Sequence, residues 1–311
     1  MPVIKKDKFS TLPGVKPFLK WAGSKRQLLA QFSALYPPAL KNGSIKNYYE
    51  PFLGSGAVFF DIVQHYSIEN AWLFDLNSDL VLTYQVIQEQ PAKLTETLLA
   101  LQKKYLAYDK AGRQVFFYDQ RSLFNQQAGI AAIKKPGKKR IERAAQLIFL
   151  NRTCYNGLFR VNAKGAFNTP AGDYKNPSIC DPVQLAAAAG FLSRATIQQA
   201  DFKKGLKTVK PHSFVYLDPP YRPLSRTASF TGYSKTRFAD AQQEQLAAVY
   251  RKLDANGALL MLSNSDTADG FFDRLYQGFS IKKVPAKRMI NTDASKRGYV
   301  SEIVVTNYAV Q

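Results

Sequence analysis

Four consecutive residues, Asp218-Pro219-Pro220-Tyr221, set a carboxylate, two φ-locked imino acids and an aromatic ring directly after the apolar run Phe214-Val215-Tyr216-Leu217. A stiff loop with two converging acceptors, the Asp218 carboxylate and the Pro219 carbonyl, is suited to taking both N–H bonds of an amine whose lone pair is delocalised into a purine ring. Held that way the nitrogen turns pyramidal and its lone pair becomes available for attack. Tyr221 offers a face on which an extruded base can stack. A proline-rich turn after a buried strand is the structural alternative, yet four residues of these types in this order are a narrower coincidence than a glycine turn.

A glycine turn is also present. Phe52-Leu53-Gly54-Ser55-Gly56 follows a strand pattern, opens a helix and is followed, nineteen residues after Gly56, by Asp75 at the end of the next strand pattern. Glycines let the backbone approach a ligand closely, and an acid at that second strand end accepts hydrogen bonds from ribose hydroxyls, so the spacing suits an adenosine. Phe59 stands where a dinucleotide fingerprint has its third glycine, so no special provision for a pyrophosphate is visible. Taken alone, a purely structural turn would read the same.

Other chemistries find less support. Transfer to cytosine C5 needs a thiolate, typically after a proline, but Thr153 precedes Cys154 and Ile179 precedes Cys180. With only His65 and His212 beside these two cysteines, neither a disulfide framework nor zinc spacing is available, and no metal is expected. The chain has 43 Lys and Arg against 23 Asp and Glu, a formal charge of +20 that points to a polyanion, nucleic acid first. A membrane surface ranks behind it, because the cations are spread along the chain and form no basic amphipathic helix. No apolar run approaches the ~18 to 20 residues of a membrane span, and the first fifteen residues carry no secretory core, so a cytoplasmic protein is expected. The run Lys134-Lys135-Pro136-Gly137-Lys138-Lys139-Arg140 reads as a solvated loop around a Pro-Gly turn, with a phosphate contact as the alternative.

The elements that must position these residues alternate. Strand patterns fall at 43–50, 71–75, 196–199, 213–217, 258–262, 279–284 and 301–308, and helical ones at 57–66, 241–253 and around Ile141, Ala144, Ala145 and Ile148. From Ser78 to about Tyr108 the pattern is helical, with Leu94, Leu98, Leu101 and Tyr105 on one face. A mostly helical, polar block interrupts the alternation, which predicts a parallel-rich α/β sheet with one inserted domain. The boundaries read as 1–84 with 191–311 for the sheet domain and 85–190 for the insert.

At this point the chain resembles the DNA adenine-N6 methyltransferases of the Dam family, α group, and among them the Dpn-type GATC methyltransferases. The resemblance rests on Phe18-Leu19-Lys20-Trp21-Ala22-Gly23-Ser24-Lys25, Glu50-Pro51-Phe52-Leu53-Gly54-Ser55-Gly56, Asp75-Leu76-Asn77-Ser78-Asp79-Leu80, the run from Asn151 to Arg160, and Asp218-Pro219-Pro220-Tyr221, in that order along nearly the whole chain. It implies a Rossmann-like methyltransferase sheet with an inserted, mostly helical DNA-recognition domain carrying a β-hairpin, and double-stranded DNA as partner. It also implies S-adenosylmethionine as methyl donor, with Trp21, Ala22, Gly23 and Lys25 at the site and Trp21 and Lys25 near the methionine part. Phe52, Gly54 and Gly56 would lie beside the cofactor's backbone, Asp75 on the ribose, and Asp201 and Phe202, by a looser match, around the adenine. Singly, Trp21 could be core, Lys25 a surface cation and Asp201 a helix cap. The block 151–177 matches the family's DNA-reading hairpin, which gives Arg160 to a guanine, Leu158 to a thymine methyl, Tyr155 and Asn156 to the gap left by the flipped adenine, and Pro170 to the same base-pair edge. Ala171 and Asp173 depart from the family, which usually has a bulkier apolar residue and often a basic one there. A cognate restriction endonuclease acting on the same site is a candidate counterpart. Cytosine-N4 transfer, an RNA adenine methyltransferase and a catalytically silent DNA-binding protein are the competing readings, and only the recognition block argues for GATC.

Overall fold

A computed structural model describes residues 14–133, 135–222, 238–287 and 299–310; Lys134 of the basic run and the segment before residue 14 lie outside them. In chain order its elements are α1 (Leu29–Leu35), α2 (Pro38–Lys41), β1 (Asn47–Glu50), α3 (Ala57–His65), β2 (Asn70–Asp75), α4 (Ser78–Glu89), α5 (Pro91–Ala107) and α6 (Lys110–Gln126). There follow α7 (Lys138–Thr153), α8 (Pro182–Leu192), β3 (Ala195–Gln199), α9 (Phe202–Gly205), β4 (Phe214–Leu217), α10 (Asp240–Ala255), β5 (Leu259–Ser265), α11 (Phe271–Leu275), β6 (Ser280–Lys287) and β7 (Tyr299–Thr306). Two expectations shift. The single helical pattern from Ser78 breaks into α4 and α5, because Pro91 cannot donate to the ladder and takes the first position of a new helix instead. The strand expected from Gly43 starts at Asn47, since Gly43, at φ 79°, forms the turn that follows α2.

The strands lie in the order β3-β2-β1-β4-β5-β7-β6. β1 pairs in parallel with β2 on one side and β4 on the other, β4 pairs in parallel with β5, and β7 is antiparallel to both β5 and β6. This is the Rossmann-like, parallel-rich α/β sheet that the alternation of strands and helices predicts. Its order reverses at β1 and β4, and ligands of such sheets bind beyond the carboxyl ends of the strands at that reversal.

By packing the chain divides into two compact units, one of Met1–Ser24, Gly54–His65 and Leu76–Gln199, the other of Lys25–Leu53, Tyr66–Asp75 and Ala200–Gln311. In the second unit one sheet face closes over Tyr49, Phe74, Val215, Leu217, Leu260 and Leu262, which pack with Leu246 and Tyr250 of α10 and with Phe272 and Tyr276. On the other face Phe32 of α1 and Tyr36 meet Tyr216 and Phe214. All four residues of β4 are buried, as expected of a central parallel strand.

In the first unit α7 is the central helix, packed on α4, α5 and α6, while α8 lies on α3, α4 and α5. Because α7 is enclosed on most sides, its polar residues need partners. Arg143 donates Nε and Nη2 to Asp79 at 2.7 and 2.9 Å, and Arg140 bonds Glu89 at 3.1 Å and Gln85 at 2.7 Å. So the basic run is only partly a solvated loop: Lys138, Lys139 and Arg140 open α7, and the buried Arg140 bonds Gln85 and the exposed Glu89. Within this unit α4 sits against α7 and α8, and β3 against α4.

Candidate active site

β4 ends at Leu217 and delivers Asp218 to the reversal point. Lys25, in the short 3-10 turn Lys25–Gln27, sets its Nζ 2.8 Å from Asp218 Oδ2 and 2.8 Å from Oδ1. Ser263 on β5 donates to Oδ1 at 3.1 Å, and its Oγ is in turn 2.8 Å from the hydroxyl of Tyr216. Burial pushes the Asp218 carboxyl up from the usual carboxylate range, while the Lys25 ammonium and the Ser263 hydroxyl pull it back. Tyr221 presents its ring to Lys25 Nζ, 4.5 Å from the centroid, and donates its hydroxyl to Glu302 of β7 at 2.5 Å. Glu302 is likewise raised by burial, with Lys25 and the Tyr221 hydroxyl acting against it.

The loop after Asp218 is braced on its outer side. Gln243 of α10 donates to the Pro220 carbonyl at 3.2 Å, and Ser265 to the Arg222 carbonyl at 2.9 Å. The Arg222 guanidinium holds Asp240 through two nitrogens, at 2.7 and 3.0 Å, and Asp269 through the third. Among the described residues no hydrogen bond takes the Pro219 carbonyl, so one acceptor of the tetrapeptide stays open beside the carboxylate.

β1 leads into Phe52 and Leu53, and the Leu53 amide donates to the Phe74 carbonyl of β2 at 3.0 Å. Phe52 packs on Phe202, ring centroids 5.7 Å apart, and on Phe238. Asp75 is half-buried at the end of β2. Asp201 caps α9, accepting from the Lys204 amide at 2.8 Å. In the other unit Gly23, Gly54 and Gly56 have φ of 78°, 50° and 65°, a left-handed backbone that glycine adopts without strain. Tyr84 donates to the Gly54 carbonyl at 3.1 Å, and the Ser24 and Ser55 hydroxyls meet at 2.8 Å, fastening the Trp21–Ser24 turn to the glycine turn. Ala22 and Gly23 are exposed. The Asp75 carboxylate is the acceptor type that a ribose takes, and Phe59, fully buried, stands where a dinucleotide fingerprint has its third glycine.

The recognition block forms a short hairpin. Val161 bridges Phe167, Cys154 bridges Ala171, and Asn162–Ala166 makes the tip. Phe159 and Phe167 turn inward and Trp21 stacks on Phe159 at 5.3 Å, while Leu158 is half-buried and Tyr155, Asn156, Arg160 and Pro170 are exposed. Asn156 takes φ 54°, unusual for a residue with a side chain, at the tight bend before Gly157. Arg160 Nε donates to Asn168 Oδ1 at 2.9 Å. Asn125 of α6 grips the returning strand at both the amide and the carbonyl of Phe167, at 2.8 and 3.0 Å.

Residues 21–290 match the sequence profile of a family described as D12 class N6 adenine-specific DNA methyltransferase. The chain belongs to that family. The methyltransferase is 48% identical over 295 residues to the type II methyltransferase M.MjaIII of Methanocaldococcus jannaschii, covering 94% of this chain and 99% of the relative. It is 35% identical to the type II methyltransferase M1.LlaDCHI of Lactococcus lactis subsp. cremoris, covering 99% of each. A DNA adenine methylase of Haemophilus influenzae is 32% identical over 93% of this chain and 92% of its own.

Some participants in the methyltransferase's site region carry no signal in a linear reading. Ser263 and Glu302 come from β5 and β7, and each looks like an ordinary strand residue. Lys25 stands in a motif that places it beside the cofactor, yet its described ion pair is with Asp218. Asn151, 1% exposed at the end of α7, accepts from the Lys20 amide at 2.8 Å and donates to the carbonyls of Lys20 at 2.7 Å and Gly157 at 2.9 Å. One side chain thereby ties the Trp21 turn to the bend that presents Tyr155 and Asn156. The thiol of Cys154 is pushed up to about 12 by burial, so it remains protonated and is no nucleophile at neutral pH.

Proposed function

We propose that the chain methylates N6 of an adenine flipped out of duplex DNA, in the sequence GATC, with S-adenosylmethionine as donor. The observation that carries this reading is the Asp218 carboxylate with the open Pro219 carbonyl beside it, at the point where the sheet order reverses. In this reading Asp218 and the Pro219 carbonyl accept the two N6 hydrogens, which localises the nitrogen lone pair, and the free face of Tyr221 stacks on the base. S-adenosylmethionine, when bound, supplies a methyl carbon on a sulfonium, and the carbon–sulfur electron pair leaves with sulfur as N6 attacks. One N6 proton then passes to the Asp218 carboxylate, leaving a neutral methylamine. Gly23, Gly54 and Gly56 would supply backbone to the cofactor, Trp21, Ala22 and Phe52 its walls, Asp75 a ribose contact, and Asp201 and Phe202 the surroundings of its adenine. Lys25 is better used against Asp218.

Residues 85–190 serve as the DNA-reading part and 1–84 with 191–311 as the catalytic part. The exposed Arg160 and half-exposed Leu158 share the hairpin face opposite Phe159, as guanine and thymine contacts require. Tyr155, 53% exposed, with Asn156 on a strained bend, suits a wedge into the vacated stack, and Pro170 lies exposed beside them. The names of the two type II relatives support a restriction endonuclease acting on the same site as the counterpart. No helix among the described residues is long and apolar enough to cross a membrane, which is compatible with work on DNA in the cytoplasm. The test is to methylate plasmid DNA and challenge it with one nuclease that requires N6-methyladenine in GATC and another that rejects it. Cleavage by the first and protection from the second is the expected result, and the reverse pattern refutes GATC.

A further inference from the structure

The contacts around Asp218 are lopsided. Among the described residues Oδ1 accepts the Ser263 hydroxyl, at 3.1 Å, and also lies 2.8 Å from Lys25 Nζ in the ion pair, whereas Oδ2 accepts from Lys25 alone, at 2.8 Å. A carboxylate oxygen has two acceptor positions, so Oδ1 is saturated and Oδ2 retains one. We propose that Lys25 is a positioning residue for methyl transfer: its ammonium straddles the Asp218 carboxylate, fixes its rotation, and leaves Oδ2 as the oxygen open to the target amine. This rests on the reading of Asp218 as the amine's acceptor.

Electrostatics supports the same role. Among the described residues the groups around Asp218 are, besides Lys25, the Tyr216 phenol of its own strand, Ser263 of β5, Tyr221 and its acceptor Glu302 of β7, and the Tyr48–Glu50 pair of β1, whose charge is felt at Tyr216. Apart from Lys25 these are neutral or acidic. Lys25, 4% exposed, is the cation that offsets the burial of Asp218, and a protonated Asp218 would offer a donor where the amine needs an acceptor.

Three measurements decide the matter. Single-turnover methylation against pH is compared for the unsubstituted enzyme, Lys25→Met and Lys25→Arg, and S-adenosylmethionine binding is measured by calorimetry for each. Lys25→Met should lower the rate at neutral pH about tenfold or more and move the acidic limb of the profile up by about one pH unit or more, with the rate recovering as pH rises. Lys25→Arg should return the limb to its original position, and cofactor affinity should change by less than about threefold in both variants, far below the loss expected for a direct charged contact. An unmoved limb together with weakened cofactor binding would overturn the proposal and return Lys25 to the cofactor. Should Lys25→Met not fold, the unsubstituted protein still answers: its Lys25 ammonium should give a slowly exchanging 15Nζ resonance that is lost in Asp218→Asn, and a rapidly exchanging ammonium refutes the pairing. Failure of the underlying reading looks different, because Asp218→Ala would then methylate at a near-normal rate whatever stands at position 25.

Discussion

Replacing Asn151 by alanine removes three hydrogen bonds at once, and the cost can be built up from what each partner faces afterwards. The Gly157 carbonyl is bonded in a buried setting, so its orphaning costs about 1 to 3 kcal/mol. The Lys20 amide and carbonyl are only partly buried, and water can replace the lost partner at about 0.5 to 1 kcal/mol each. Gly157 cannot move toward Lys20 to compensate without crowding, because even a Cβ at Gly157 would lie 2.4 Å from the Lys20 side chain. The total is about 2 to 5 kcal/mol, large for a single site. Urea unfolding with an unchanged slope measures the loss, and amide exchange measures its location: the Lys20 and Gly172 amides flank the tied bend, but only the Lys20 amide depends on Asn151, so it alone should lose protection directly. A loss below about 1 kcal/mol, or a Lys20 amide as protected as before, would refute the view that this side chain couples the Trp21 turn to the recognition bend.

Asp218→Ala should cost on the order of 3 kcal/mol or more in transition-state stabilisation with DNA binding intact, read as kcat/KM against duplex affinity. In the unsubstituted enzyme the active form is the carboxylate, so the rate should fall as pH drops through a midpoint above the usual carboxylate value, in the direction that burial shifts Asp218. Arg160→Ala should lower kcat/KM on GATC about tenfold to a hundredfold and relax the requirement for the first guanine, whereas equal losses on cognate and substituted oligonucleotides would make it a positioning contact. Asp79→Ala strands the buried Arg143 guanidinium and should cost about 3 to 5 kcal/mol in urea unfolding, while a loss under about 1 kcal/mol would show that the Phe124 ring and carbonyl suffice. Duplex affinity should fall with salt roughly as the 0.9Z power for Z phosphate contacts, and a flat dependence would assign the +20 charge to another purpose.

What could be read in the sequence was contiguous. The tetrapeptide at 218–221 and the turn at 52–56 carry their chemistry in neighbouring residues, and the alternation of strands and helices around them is a local pattern. The tie between Lys25 and Asp218 spans 193 positions, and the one between Tyr221 and Glu302 spans 81, so no periodicity reports either. Residue type misleads as well: Arg140 sits in a basic run that reads as solvated, yet it is buried and pairs with Glu89, 51 positions away. Pro91 marks a helix break openly, but Leu94 and Leu98 carry the apolar face onward and hide it.

The place of β7 between β5 and β6 has a consequence for how the enzyme is made. During synthesis β5 and β6 emerge before the strand that joins them, so the sheet half that carries Ser263 has an unpaired edge until Tyr299–Thr306 leaves the ribosome. Glu302 arrives on that same strand, long after Lys25 and Asp218. Until then Tyr221 lacks the Glu302 acceptor of its hydroxyl. In that interval the bare edge of β5 is most open to pairing with another chain, so prompt delivery of β7 protects this sheet half from aggregation.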